Sequence, residues 1–216
     1  LTSTAAVESH PHFSPDGQSI AFSSNRSGTD SVYVMPTNGG QPKRLSWHAT
    51  GGSVRGWTPD GQKVLFVSGR DTAPRPINRL WTISTKGGSA ELVLDQWAYN
   101  GAYSADGKQM VIDRMSRWDG EWRNYRGGQN TPLVVVDLGS LEETMIDSDS
   151  TIDIEPVWVD DTVYFLSDRD WVSNVWSYSV KRKRLKQITE FNNADIKQLA
   201  TNGKQLVLEQ NGDLFT

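Results

Sequence analysis

The chain has 216 residues, no cysteine, three histidines and a formal net charge of −4 at pH 7. The absence of cysteine excludes disulfides, thiolate metal sites and a cysteine nucleophile. The slight negative charge argues against nucleic acid as a partner, because nucleic-acid-binding domains present a basic surface. The sequence contains no run of 18 apolar residues, so it predicts no membrane-spanning helix.

The first repeat unit, residues 8–46, predicts four short strands separated by turns. Apolar runs flank Pro15, Asp16 and Gly17, and Asp-Gly between such runs favours a hairpin because glycine accepts the positive φ of the turn. Short strands with regularly spaced turn signals indicate one antiparallel sheet. The predicted strands are Glu8–Phe13, Ser19–Ser23, Val32–Met35 and Lys43–Ser46.

The same pattern recurs along the rest of the chain. The segment HFSPDGQSIAF at 12–22 returns as WTPDGQKVLF at 57–66 and as YSADGKQMVI at 103–112, with weaker copies starting at Trp158 and Thr201. A period of about 40–50 residues is typical of β-propeller blades. The sequence therefore predicts an all-β fold, a β-propeller of four-stranded antiparallel blades, with about five blades in one domain over residues 1–216. The repeat units are 8–46, 53–94, 100–146, 154–189 and 196–216.

Both ends of the chain are predicted to be cut. Leu1-Thr2 resembles the end of a fourth strand, as Leu45-Ser46 closes the first unit, and no fourth strand follows Asp213–Thr216. Propeller blades bury their faces on one another, so an incomplete set would leave apolar faces exposed. We therefore expect a fragment of a longer chain, and the alternative is a five-bladed ring closed by Leu1-Thr2.

Residues that commonly carry catalysis or metal binding form no complete set. His10 and His12 lie two apart on one predicted strand and would share a face, but no third ligand lies at a suitable spacing. Gly51, Gly52 and Ser53 approach a nucleophile elbow, yet the next glycine comes one place too late and no helix follows. The sequence predicts no catalytic residue, no metal site and no cofactor.

Three arginines recur at one position of the repeat. Arg26, Arg70 and Arg169 each follow the second predicted strand of their unit, where the chain enters a loop. In a structural interpretation each arginine pairs with a carboxylate of a neighbouring blade. In a functional interpretation they form a cationic rim that attracts carboxylates, such as the C-termini of peptides. The candidate carboxylates of the structural interpretation are Asp71, Asp168 and Asp170.

One insertion interrupts the third repeat. The loop 117–130 combines aromatic and basic side chains with a flexible Gly127-Gly128 pair. Long loops on a rigid scaffold are where binding residues concentrate. We expect a peptide or a partner domain to contact this loop first. Its candidate binding residues, which join the three arginines, are Trp118, Trp122, Arg123, Tyr125 and Arg126.

The motifs of the chain resemble two groups of known propellers. The repeats built on Ser14–Gly17 and Ile20–Phe22 resemble the WD-like repeats of TolB and its relatives. The insertion segment WRNYRGG at Trp122–Gly128, followed by an LVVVD strand, resembles the N-terminal propeller of tricorn protease. So do the IEPV and VYFLSD segments within Ile154–Asp168, and the segment Leu206–Phe215. The resemblance to the tricorn family extends over essentially the whole chain.

The tricorn resemblance implies a six-bladed propeller without catalytic residues. It implies that a second propeller, a PDZ-like domain and a serine peptidase domain follow in a large, cytoplasmic homo-oligomer. The implied role is to gate or channel peptide substrates and products to the catalytic domain, so peptides and neighbouring domains are the implied partners. The alternative is a TolB-type periplasmic scaffold that binds proteins, and a prolyl-oligopeptidase-like propeller is a third possibility.

Overall fold

The computed structural model describes residues 2–115 and 124–216. The chain divides into two compact units, Leu1–Ala98 and Tyr99–Thr216. Within the described residues every regular element is a β-strand, and the strands form five antiparallel sheets whose strand order follows the chain. The predicted all-β fold of antiparallel propeller blades is therefore confirmed.

The first unit contains two four-stranded blades. Blade 1 consists of β1 (Glu8–Phe13), β2 (Ser19–Ser24), β3 (Ser31–Pro36) and β4 (Lys43–Arg44). Blade 2 consists of β5 (Ser53–Trp57), β6 (Lys63–Ser68), β7 (Arg79–Ser84) and β8 (Glu91–Leu92).

The second unit, in its described part, contains three blades. Blade 3 consists of β9 (Asn100–Tyr103), β10 (Gln109–Asp113), β11 (Val134–Asp137) and β12 (Glu143–Met145). Blade 4 consists of β13 (Asp153–Val159), β14 (Thr162–Ser167), β15 (Asn174–Ser179) and β16 (Arg184–Gln187). Blade 5 has three described strands, β17 (Gln198–Thr201), β18 (Leu206–Gln210) and β19 (Asp213–Phe215).

An Asp-Gly turn joins the first two strands in blades 1, 2 and 3. In blade 1, the Asp16 carboxylate accepts hydrogen bonds from the Ser14 hydroxyl at 2.6 Å and from the Gln18 amide at 3.0 Å. Gly17 takes a φ of 70° at the tip of this turn. The same bonds recur at Asp60 in blade 2 and at Asp106 in blade 3. The repeated motif therefore encodes one repeated turn.

The apolar residues of these strands form a separate core in each unit. In the first unit, side chains from both blades meet in one cluster, which includes Ala21, Leu45 and Phe66. In the second unit, blades 3 and 4 share a cluster around Phe165, while the opposite face of blade 4 packs on Ile196 next to blade 5. Burial of alternate residues on both faces of a sheet is what a blade between two neighbours requires.

Bulges interrupt the first strands of blades 1, 2 and 4. The extra residue shifts the pairing register and breaks the two-residue period of the side chains. In β1 the shift lies between Ser9 and His12, and His10 adopts a φ of 53°. The expectation that His10 and His12 share a face of a regular strand is therefore wrong, since His10 is exposed and His12 is half-buried. The other shifts lie between Val54 and Gly56 and between Ile154 and Val157.

Candidate functional site

The three recurrent arginines occupy equivalent places in their own blades. Arg26, Arg70 and Arg169 each lie two residues beyond the end of the second strand. Each guanidinium lies over two aromatic rings that are paired across the second and third strands, an arrangement that favours a cation. The distances to the ring centroids are 5.4 Å to Phe22 and 4.9 Å to Tyr33 for Arg26, 4.7 Å to Phe66 and 5.5 Å to Trp81 for Arg70, and 6.0 Å to Phe165 and 5.5 Å to Trp176 for Arg169.

Blade 3 lacks both the arginine and the aromatic pair. The residues paired at the equivalent place of its second and third strands are Val111 and Val135. Met115, which is 3% exposed, stands where the other blades carry arginine. The arginine and the two rings therefore occur together or not at all in these four blades, as expected for one packing unit.

Two of the three arginines pair with a carboxylate from the first strand of the same blade. Arg26 pairs with Glu8, and the Nη2 atom of Arg169 lies 2.7 Å from the Oδ2 atom of Asp153. Glu8 and Asp153 both stand opposite the last serine of the second strand in the antiparallel pairing. The carboxylates named from the sequence, Asp71, Asp168 and Asp170, are therefore not the ion-pair partners of these two arginines.

Asp153 is the more deeply buried of these two carboxylates. Its side chain is fully inaccessible, and its Oδ1 atom accepts a hydrogen bond of 3.0 Å from the Thr151 hydroxyl. Burial raises the pKa of Asp153 to about 6, although the positive charge of Arg169 acts in the opposite direction. In blade 1, burial of Glu8 is outweighed by hydrogen bonds from Thr2 and Arg26, which lower the pKa of its carboxyl group.

Arg70 in blade 2 has the aromatic pair but no carboxylate. The pairing of its first two strands begins with Ser53 opposite Val67, so the preceding residue, Gly52, is the positional counterpart of Glu8 and Asp153 in blades 1 and 4. Among the described residues no acidic oxygen lies within 4.0 Å of the Arg70 guanidinium, and its Nη2 atom is buried without a hydrogen-bond partner. The three arginines are thus equivalent in position, but only two of them have an acidic partner among the described residues.

The C-terminal end of the insertion is attached to blade 4 through Arg126. Its Nη1 atom donates to the Oδ2 atom of Asp168 at 2.8 Å, and its Nη2 atom donates to the Asp168 carbonyl oxygen at 2.7 Å. The guanidinium also lies 4.8 Å from the ring centroid of Trp171, which is 60% exposed. The same carboxylate accepts hydrogen bonds from the amides of Asn124 and Ile152. Asp168 therefore ties the insertion to the start of blade 4.

Tyr125 is held by the turn that follows it. Its carbonyl oxygen accepts a hydrogen bond of 2.6 Å from the side chain of Asn130, which also donates to the Ser150 carbonyl oxygen at 2.7 Å. A Cβ atom on Gly127 would lie 2.0 Å from the Tyr125 hydroxyl oxygen, so a side chain at this position would have to displace the Tyr125 ring. The other candidate residues of the insertion, Trp118, Trp122 and Arg123, lie outside the described residues.

The structure thus groups the candidates differently from the sequence. Arg26 and Arg70 belong to the first unit, whereas Arg126 and Arg169 lie near the start of blade 4 in the second. The sequence analysis missed the acidic partners Glu8 and Asp153, and it assigned Asp168 to the recurrent arginines whereas the structure pairs it with Arg126. It also missed the aromatic pairs, although an aromatic residue four positions before each arginine was a visible signal.

No group of histidine, aspartate and glutamate side chains within residues 2–115 and 124–216 has a geometry suited to a metal ion. In the same residues there is no helix long and apolar enough to cross a membrane.

Comparisons with known proteins point to one family. The family model of the "Tricorn protease N-terminal beta propeller domain" matches residues 1–216. The chain is 31% identical over 212 residues to tricorn protease homolog 1 of Streptomyces coelicolor, covering 96% of this chain and 19% of that protein. It is similar to the crystal structure of tricorn protease, with a TM-score of 0.82, 24% identity, and coverage of 99% of this chain and 21% of the other.

A TolB candidate from Agrobacterium tumefaciens shares the fold as well. The TM-score is 0.77 at 18% identity, with coverage of 99% of this chain and 73% of the other. By contrast, the chain spans only about one fifth of the length of the curated relatives that it matches over nearly its whole length.

Proposed function

Because the chain belongs to the family of tricorn protease N-terminal β-propeller domains, we propose that it gates or channels peptides for a peptidase domain of the same polypeptide. In this proposal the propeller is an accessory domain and does not cleave peptides itself. Peptides and neighbouring domains are its partners, and the whole polypeptide is a serine peptidase that assembles as a homo-oligomer.

The observation that carries this proposal is the attachment of the insertion to blade 4. A binding loop loses affinity when it must be ordered by its ligand, so a loop attached in advance binds at a lower entropic cost. The Arg126–Asp168 pair and the Trp171 ring provide such an attachment. The insertion brings indole rings and guanidinium groups, which suit contacts with an extended peptide.

The recurrent arginines contribute unequally to this proposal. Arg26 and Arg169 already hold carboxylates of their own blades, so a peptide carboxylate would have to displace Glu8 or Asp153. Arg70 has no such competitor within 4.0 Å among the described residues. The alternative function, a TolB-type protein-binding scaffold, is supported by a likeness of fold alone.

The test uses the intact polypeptide that carries this sequence. We expect Arg126→Ala to change the rate of cleavage of peptides of about 20 residues by at least threefold, because the loop loses its attachment. Cleavage of a short chromogenic substrate should stay unchanged. The matched control is Lys181→Ala, which removes an exposed ion pair with Asp161 in the same blade. Equal changes for long and short substrates would contradict the gating proposal.

A further inference from the structure

Blade 2 repeats the arginine arrangement of blades 1 and 4 with one member missing. The missing member is the carboxylate of the first strand, because Gly52 stands where Glu8 and Asp153 stand. A Cβ atom on Gly52 would lie 2.8 Å from the Cδ2 atom of Phe66. The close ring therefore excludes any acidic side chain at this position, and the chain itself cannot complete the site there.

Arg70 is left as a buried cation with incomplete hydrogen bonding. The residue is 7% exposed, its Nε atom donates to the Ser68 hydroxyl at 3.3 Å, and its Nη2 atom has no hydrogen-bond partner. Burial lowers the pKa of Arg70, and the negative charge of Asp71 opposes this shift without closing an ion pair. Buried charges are normally paired, so a guanidinium without an acidic partner is a candidate donor to an added anion.

Arg70 also forms part of the wall of a cavity of about 330 Å³. The lining is mixed: the exposed ring of Trp47 is its apolar part, and Ser46 and Ser89 are among its polar residues. Its acidic wall residue, Asp71, lies 3.8 Å from the Nε2 atom of His48, so its charge faces a histidine as well as Arg70. A concave site that combines an exposed aromatic ring with a few polar groups is a common form of small-ligand site.

We propose that this cavity binds an organic carboxylate with an apolar body, whose oxygens accept hydrogen bonds from Arg70. The bound carboxylate lies against the guanidinium of Arg70 where this side chain lines the cavity, and the apolar body packs on the exposed ring of Trp47. A free carboxylic acid and the C-terminus of a peptide share this chemistry. The inference does not rest on the proposed function, because binding is measured without peptide cleavage.

The experiment is ligand-observed NMR on the intact polypeptide. The probes are 3-phenylpropionate, its neutral primary amide, inorganic phosphate, and a short peptide ending in phenylalanine with a free or an amidated C-terminus. We expect 3-phenylpropionate to bind at least tenfold more tightly than its amide, and more tightly than phosphate. A preference for the free over the amidated peptide would identify peptide C-termini as a source, whereas binding of 3-phenylpropionate alone would identify free acids.

Variants locate the binding in the cavity. Arg70→Gln should abolish the preference for the carboxylate over the amide, and Arg26→Gln, whose guanidinium is already paired, should leave it unchanged. Trp47→Ala removes a ring that is 66% exposed, so it should weaken 3-phenylpropionate binding without affecting the fold. Equal binding of acid and amide by the unsubstituted protein, equal binding of phosphate, or an equal loss in Arg26→Gln would overturn the proposal.

Discussion

Blades 2 and 4 each place an equivalent arginine over a pair of aromatic rings. Only the arginine of blade 4 has a carboxylate partner in its own blade. The Arg169–Asp153 pair is buried and hydrogen-bonded, whereas Arg70 has no acidic partner among the described residues and lines a cavity. The difference lies in one position of the first strand. It indicates that a repeated cation can serve stability in one blade and remain available for a ligand in another.

The largest effect should follow from removal of the carboxylate in blade 4. We expect Asp153→Ala to lower the free energy of unfolding by about 3–5 kcal/mol, because Arg169 and the Thr151 hydroxyl lose their buried hydrogen-bond acceptor. Hydrogen exchange of the β13 and β14 amides in the intact polypeptide measures this locally. The control Asp161→Ala removes only an exposed partner of Lys181, so its effect should stay below about 0.5 kcal/mol. A similar small effect of Asp153→Ala would mean that the pair does not stabilise blade 4.

The pH dependence of blade 4 should show a smaller effect. The pKa of Asp153 is raised to about 6 in the folded chain, so the folded state binds the proton more tightly than the unfolded state does. Stability from this group is therefore present at low pH and is lost as pH rises through 6. Relative to Asp153→Asn, hydrogen-exchange protection of β13 should rise by about 1 kcal/mol between pH 7 and pH 5.

Blade 1 provides the internal comparison for this pH effect. The pKa of Glu8 is lowered, so its contribution is present at neutral pH and is lost only below its usual titration range. Protection of β1 should therefore stay level or fall between pH 7 and pH 5, while that of β13 rises. Parallel changes in the two strands would show that the pKa values of Glu8 and Asp153 are not shifted in opposite directions.

The blades were predictable from the sequence because their information is local. Each Asp-Gly turn and each alternating strand is encoded within about ten residues, and the predicted strands of the first unit begin and end within two residues of the observed ones. The ion pairs were not predictable in the same way. Glu8 reaches Arg26 through antiparallel pairing across a bulge, and the sequence does not reveal the register shift of that bulge.

The pairing of each recurrent arginine with an aromatic ring could have been predicted from the repeats. Met115 stands at the arginine position of blade 3 together with Val111 four residues earlier, so the coupling between arginine and aromatic ring was already present in the repeats. The absence of a carboxylate at Gly52 has meaning only after the register is known, because only then is Gly52 the counterpart of Glu8 and Asp153.

The smallest effect on stability should come from substitution of Arg70. This substitution distinguishes an arginine without an acidic partner from one that has such a partner. We expect Arg70→Met to change the free energy of unfolding by less than about 1 kcal/mol. The variant loses the attraction of the guanidinium to Phe66 and Trp81, but it also removes a buried charge that no carboxylate balances.

The matched variant Arg169→Met leaves Asp153 buried without its cation and should cost about 3 kcal/mol or more. Hydrogen exchange of β6 and β14 compares the two blades in the same polypeptide. Equal losses would mean that Arg70 stabilises its blade as Arg169 does, and the unpaired guanidinium would then have a structural role in blade 2.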